Sequence, residues 1–453
     1  MGREPRGDQA HRQPGRAAST GPRADGRRPG VLGVGMAVVA VFIAALNLRA
    51  GISSLGPVLG EMSAAFHVGG AVAGALTAMP GFFFAVMGLV AVPIAARLGL
   101  TRTIFGGMVA CLVGLAVRPW VGGISWFVLL TAIVVAGIAL GNVLIPAWIK
   151  HHGGRRVVLL MTVYSSILGL SGAIGPLSAL PFAGGPQGAS NGWRWALMVW
   201  AFTALAQVLV WCVVALRSGF DFPDYSAGAK GAGPRRAGTD EGADRGSEAG
   251  VAGKSTESVP LRNAPTAVYL ALFFGLQSMQ AYVQFGWLPK MYTDSGVSAG
   301  TASIALALIG GLGVVGGVVM PALISRSHSI ASMVVLFAVL TVAGYLGLLL
   351  APAAAPLLWA CLLAVGGFCF PTAIALIPAR TRSPLVTARL SGFVQPMGYF
   401  IAAAGPLLVG VMYGLVGSFG PILVALIVSA VAMGAVGARA ARHVMIDDEL
   451  AAA

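Results

Sequence analysis

The sequence predicts an all-α membrane protein of 12 transmembrane helices arranged as two six-helix repeats, and three observations carry that prediction. The first is composition: of 453 residues, 57% are hydrophobic and only 10% are charged, with a mean hydropathy of +0.85. Soluble domains carry about 25% charged residues, so this much apolar surface needs a lipid solvent. The second is an internal echo. Leu144-Ile145-Pro146-Ala147, followed by Lys150, returns as Leu376-Ile377-Pro378-Ala379, followed by Arg380 and Arg382, at an offset of 232. Gly175-Pro176-Leu177 recurs as Gly405-Pro406-Leu407 (offset 230), Pro57 as Pro289 (offset 232), and Gly88 with Pro93 as Gly316 with Pro321 (offset 228). The third is spacing: apolar windows of about 20 residues, the length that crosses a bilayer, fall into two sixes.

In the first half, residues 31–217, those windows lie near 33–56, 70–96, 103–121, 125–149, 157–181 and 194–216. In the second, 264–440, they lie near 266–289, 300–324, 330–351, 356–379, 388–413 and 419–438. The polar stretch 218–263, rich in Gly, Ala, Ser and charge, reads as a flexible cytoplasmic connector. Residues 1–30, basic and rich in Pro and Gly, read as a disordered cytoplasmic tail, and 441–453 as a second tail. The apolar run from Val31 is longer than the core of a secretory signal, and Arg27-Arg28 resembles a twin-arginine signal only superficially, so the first span is expected to stay. Cys111, Cys212, Cys361 and Cys369 all fall inside apolar windows without metal-like spacing and read as small core residues.

Orientation follows from the Lys and Arg count. The tails, the connector and the loops after spans 2, 4, 8 and 10 hold 25 of the 29 basic residues, against Arg118, Arg194 and Lys290 on the other side. The positive-inside rule then puts both termini of this multi-pass protein in the cytoplasm, and the rarity of Lys, 4 of the 29 basic residues, suggests a GC-rich bacterial genome and hence the bacterial inner (plasma) membrane. The formal charge of +14 is thereby explained without nucleic acid.

One basic residue is left over. Arg49 lies deep in the first window, where a charge costs at least about 2.5–3.5 kcal/mol, and all fifteen Asp and Glu fall in tails, loops or helix ends. Glu61 and Asp294 come nearest. An intramembrane arginine without an acidic partner points to a water-filled cavity and an anionic or hydrogen-bond-accepting solute, which a planar guanidinium grips with two donors; a tie between helices is the alternative. In span 7, Gln277, Gln280 and Gln284 share one helical face, continued by Trp287. Buried amides need partners, so this stripe should line a cavity or bridge helices. Asn47 in span 1, Asn142 in span 4, Tyr164 and Ser165 in span 5, and Gln395 with Tyr399 in span 11 complete the candidate substrate-binding set. The repeat alignment superposes Ser165 on Gln395, which favours a shared central site.

Gly56 and Pro57 in span 1, Gly175 and Pro176 in span 5, and Gly405 and Pro406 in span 11 are candidate conformational positions, since small residues allow close approach and prolines bend helices. No Walker loop, dinucleotide fingerprint, GxSxG or HExxH is present. The chain reads as no enzyme, with no cofactor and no metal, and ATP is not its direct energy source.

The turn from Ala95 to Arg102 after span 2 keeps an Arg-x-Gly-x-x-Arg skeleton, from Arg97 to Arg102, while the acidic residue usual there is missing. With two six-helix halves and a long central connector, it resembles the major facilitator superfamily over 31–440. The segments 47–62 (NLRAGISSLGPVLGEM), 275–289 (GLQSMQAYVQFGWLP) and 390–410 (LSGFVQPMGYFIAAAGPLLVG) are similar to the cyanate porter (CynX/NimT-like) branch, which is associated with cyanate and 2-nitroimidazole. The resemblance implies a monomeric secondary transporter working by alternating access on a small anionic or polar solute. A coupling proton or counter-solute and the lipid bilayer would be its other partners. A multidrug exporter of the same fold and a non-transporting receptor or sensor are the alternatives.

Overall fold

Each apolar window becomes a helix in the computed structural model of the chain, which describes residues 33–182, 191–222, 259–326 and 329–452. The expected disordered tail, 1–30, and most of the connector lie outside the described residues. The first half consists of α1 (Val34–Ser53), α2 (Leu55–Ala65), α3 (Gly70–Leu98), α4 (Leu100–Val117), α5 (Ile124–His152), α6 (Val157–Leu177) and α7 (Gly192–Arg217). The second consists of α8 (Pro265–Asp294), α9 (Ala299–Arg326), α10 (Ile330–Leu350), α11 (Pro356–Gly366), α12 (Cys369–Ala379), α13 (Pro384–Val416) and α14 (Gly420–Ala440). Two of the twelve spans are broken. The first is α1 plus α2, interrupted at Ser54, and the tenth is α11 plus α12, interrupted at Gly367 and Phe368. Eleven of the spans are long and apolar enough to be recognised as membrane crossings by composition. The twelfth, α8, is 30 residues long but diluted by its glutamines.

The repeat has a packing basis. A Cβ on Gly175 would run into Ala50 of α1, while a Cβ on Gly405 would run into Met279 and Val283 of α8. The same glycine in each half thus lets the fifth helix of that half lie against its first. Pro176 and Pro406 follow directly inside the two helices, where each removes a backbone hydrogen bond.

The hydrophobic cores show how the halves meet. One cluster, with Ala45, Ile104, Trp148 and Trp211, belongs wholly to the first half; another, with Phe273, Phe337, Cys369 and Met433, belongs wholly to the second. Both lie toward the end that carries the basic loops. At the opposite end there is one shared cluster, in which Leu59, Leu76 and Trp193 of the first half pack with Trp287, Tyr292 and Leu423 of the second. Trp287 Nε1 donates to Thr77 Oγ1 across this seam at 3.0 Å. The halves therefore share one hydrophobic core at the opposite end and keep separate ones toward the basic end.

Two acidic clamps order the basic end. Gly99, with φ of +91°, lets the chain turn sharply between α3 and α4. Arg97 and Arg102 flank this turn as exposed side chains. The missing acid of the turn is supplied from elsewhere: Asp221, at the start of the connector, accepts from the Thr101 N–H at 3.1 Å and from the Thr101 hydroxyl. His152 Nε2 lies 3.5 Å from the same carboxylate. Asp221 thereby caps the N-terminus of α4. The C-terminal tail forms the second clamp. Residues Ile446–Ala452 fold as α15, whose Glu449 accepts from Thr266 N and Oγ1 at the start of α8 (3.0 and 2.7 Å), while Asp448 pairs with Arg382. Asp221→Ala strands a buried N–H and hydroxyl and is expected to destabilise the protein by about 1–3 kcal/mol, read as a lower melting temperature. Asp221→Asn keeps one acceptor and should lose less.

Candidate functional site

The glutamines that dilute α8 also organise the centre of the molecule. Gln284 Nε2 donates to Tyr345 Oη (3.1 Å), Tyr345 Oη donates to Gln280 Oε1 (2.7 Å), and Gln280 Nε2 donates to Ser429 Oγ (2.7 Å) and to the Leu426 carbonyl (3.2 Å). This chain ties α8 to α10 and α14. Gln277 Nε2 reaches the Gly367 carbonyl at 3.4 Å, one of the backbone groups released where the tenth span breaks. The stripe fixes how α8 is rotated.

That rotation presents Gln277, Ser278, Tyr282, Gln284 and Phe285 to a central cavity of about 300 Å³. Leu48, Arg49, Ile52 and Ser53 of α1 face them, with Phe84 of α3, Asn142 of α5 and Tyr399 of α13. Phe370 and Pro371 of α12 complete the wall beside Gly367. Both broken spans therefore reach the cavity at or beside their breaks, through Ser53, the last residue of α1, and Gly367.

Arg49 is the one charged side chain in this lining. Among the described residues no carboxylate lies within ion-pair distance of it; Asp294 is held by Lys290 (2.9 Å) and Tyr413 (2.6 Å) near the opposite end, and Glu61 is exposed. Its Cζ lies 5.9 Å from the centroid of the Phe285 ring, a cation–π contact. The phenols of Tyr164, Tyr282 and Tyr399 are within its electrostatic reach. The wall thus offers a guanidinium, phenol hydroxyls and amides amid aromatic rings, and no carboxylate. Such a site receives acceptors and flat faces.

The structure sorts the sequence-based candidates into three groups. Arg49, Asn142, Gln277, Gln284 and Tyr399 line the cavity. Tyr164 stands behind Asn142, its hydroxyl donating to Asn142 Oδ1 at 3.4 Å. Asn47, Gln280, Ser165 and Gln395 are elsewhere. Asn47 is 1% exposed and holds α1 to α7, with its Oδ1 accepting from Thr203 at 2.7 Å, because it sits two residues from Arg49 and so points away from it. Gln280 is consumed by the α10 and α14 contacts. Gln395 donates to Ser391 at 2.7 Å. Ser165 and Gln395 lie one turn nearer the basic end than Leu168 and Tyr399, which line the cavity, so the superposed pair flanks its approach.

Of the conformational candidates, Gly56 makes the tightest crossing between halves: a Cβ there would overlap the Phe285 carbonyl. Pro57 follows it in the first turn of α2. The sequence reading missed Tyr282, Phe285, Ser53 and Ser278. Tyr282 and Phe285 are adjacent to the glutamine face at helical spacing, and their aromatic character in a polar span was the available signal. Among the described residues no group of His, Cys, Asp or Glu could hold a metal.

A family model described as Major Facilitator Superfamily matches residues 41–406. The chain is 28% identical over 407 residues to an uncharacterized transporter, YycB, of Bacillus subtilis (strain 168), covering 89% of this chain and 93% of the relative. It is 27% identical over 415 residues to the 2-nitroimidazole transporter of Escherichia coli (strain K12), covering 89% and 95%. It is 26% identical over 394 residues to the cyanate transport protein CynX of the same organism, covering 85% and 91%. Among solved structures it superposes on a D-xylose–proton symporter with a TM-score of 0.66 at 12% identity, covering 92% of this chain and 99% of the other. The residues matched, the twelve-span fold and the repeat agree: this chain belongs to the Major Facilitator Superfamily, a multi-pass membrane transporter by fold and kinship.

Proposed function

We propose that the chain is a secondary transporter of a small, flat solute that is anionic or rich in acceptor atoms, moved across the bacterial inner membrane by alternating access. The observation that carries this reading is the cavity wall, in which Arg49 meets no carboxylate. The basic end is then cytoplasmic, and the arrangement described is the one open to the cytoplasm.

Size narrows the substrate. A triatomic anion such as cyanate fills a small part of about 300 Å³, the lower end of ordinary ligand pockets. A five-membered heteroaromatic ring with a nitro or carboxylate group fits better: its paired oxygens match the guanidinium fork and its faces match Phe84, Phe285 and Phe370. The names of two relatives, a 2-nitroimidazole transporter and a cyanate transport protein, agree with this class. Arg49, Asn142, Gln277, Tyr282, Gln284 and Tyr399 are the proposed contacts, with Tyr164 holding Asn142.

Purified protein should gain thermal stability from 2-nitroimidazole or a planar carboxylate, since ligand at a hundred times its Kd adds about 2.7 kcal/mol. Proteoliposomes should then take up the stabilising compound. Stabilisation by lipophilic cations alone would overturn the reading in favour of a drug exporter, and tight binding without flux would favour a receptor.

A further inference from the structure

Arg118 belongs, by sequence, to the outer loops with Arg194 and Lys290. The structure instead buries it to 1% exposure. It opens the short 3-10 turn Arg118–Trp120 at the end of α4 and points inward, where Nη2 donates to the Gly51 carbonyl at 3.2 Å and Nε has no partner. It faces an enclosed cavity of about 20 Å³, room for about one water, walled by Thr77, Thr131, Tyr282, Phe285 and Gly286. No carboxylate lines it.

This small cavity and the central one share a wall. Ile52, Tyr282 and Phe285 line both, and Arg49 in the central cavity approaches the ring of the same Phe285. Each of the two adjoining cavities thus holds one intramembrane guanidinium, and no carboxylate lines either. A bond to a single carbonyl needs only a neutral donor, and a guanidinium presents five, so a helix tie alone does not account for a buried charge here. The wall also straddles the seam: Thr77 and Thr131 come from the first half, Tyr282, Phe285 and Gly286 from the second. A parting of the halves at this seam would open the cavity and expose Arg118 to water.

We propose that Arg118 is a second anion-binding station, on the opposite-end side of Phe285, occupied by the transported solute when that end is open. The Phe285 ring is the partition between it and Arg49. The inference rests on the reading of the central cavity as an acceptor-binding site, and the test separates the two.

Cyanate is the probe, with flux measured in proteoliposomes of fixed orientation and the concentration dependence taken from each side. Arg118→Gln should raise the KM from the opposite-end side by about tenfold, the loss of one charge-assisted pair, and at least fivefold more than from the basic-end side. Arg118→Lys, which keeps the charge and the reach to Gly51, should fall between and serves if the glutamine variant does not fold. Arg49→Gln should raise both. Equal changes from both sides for the Arg118 variants, or none, while Arg49→Gln still acts, would overturn the second station and leave the central site standing. Cyanate flux indifferent to both arginines would overturn the two together.

Discussion

Arg49→Gln is expected to weaken binding of the transported solute by about ten- to a hundredfold while leaving the unliganded protein at least as stable as the parent. Losing one charge-assisted pair costs about 1.5–3 kcal/mol, at about 1.4 kcal/mol per decade of affinity. Stability should behave oppositely because Arg49 has no carboxylate partner among the described residues and rests on a ring rather than a hydrogen bond. Arg49 is half-buried and makes no ion pair among the described residues, so removing its charge costs the fold no such contact. Arg49→Lys keeps the charge without the planar fork, so affinity should order as parent, then lysine, then glutamine. Titration of the stabilising compound against folded, monodisperse protein, with the melting temperature taken first, checks both halves. A glutamine variant that melts lower and binds normally would make Arg49 a helix tie, leaving the glutamine and tyrosine face of α8 as the site.

The architecture was legible in the sequence, as was the lone charge of the candidate cavity; the company kept by each polar side chain was not. Twelve windows, the repeat and the unpaired Arg49 follow from hydropathy and charge, which act locally along the chain. The paired glycines Gly175 and Gly405 also did at equal depth what the repeat implied. Gln280 shows the limit. Spacing puts it on the same face as Gln277 and Gln284, but a helix face of that width meets two environments, and only packing decides that Ser429 and Tyr345 take Gln280 while the cavity takes its neighbours. Asn47 and Arg49 illustrate the same point at i and i+2, where one turns outward to Thr203 and the other inward. Arg118 was misplaced for a different reason: counting it among loop charges assumes that the end of a span is wet, and here a 3-10 turn folds the residue back into the bundle. The acid missing from the turn after α3 arrives as Asp221, 120 residues away in sequence from Thr101, a distance no local pattern spans.

The second large effect is expected at Gly56. In the present arrangement a Cβ at this position would overlap the Phe285 carbonyl, a backbone atom that no side-chain rotation can move. Gly56→Ala must therefore push α2 away from α8, and with it the shared core of Leu59, Leu76, Trp287 and Met291 that closes the opposite end. Under the proposed alternating access, a form open at the opposite end would part this crossing, so the penalty would fall on one state and shift the equilibrium between them. Overpacking costs about 1–3 kcal/mol, which at about 1.4 kcal/mol per decade shifts the two-state balance by roughly ten- to a hundredfold. Transport should fall by at least about tenfold, because alternating access needs both states, while the protein still folds and inserts. A cysteine placed at Thr77, which is 5% exposed and holds Trp287 across the seam, reports the change. It should resist a membrane-impermeant thiol reagent applied at the opposite end in the otherwise unaltered protein and react readily when Gly56→Ala is added. Protection that persists alongside normal flux would show that the α2 and α8 crossing is not the closure, and would shift that role to the Gly74 and Gly410 contact between α3 and α13.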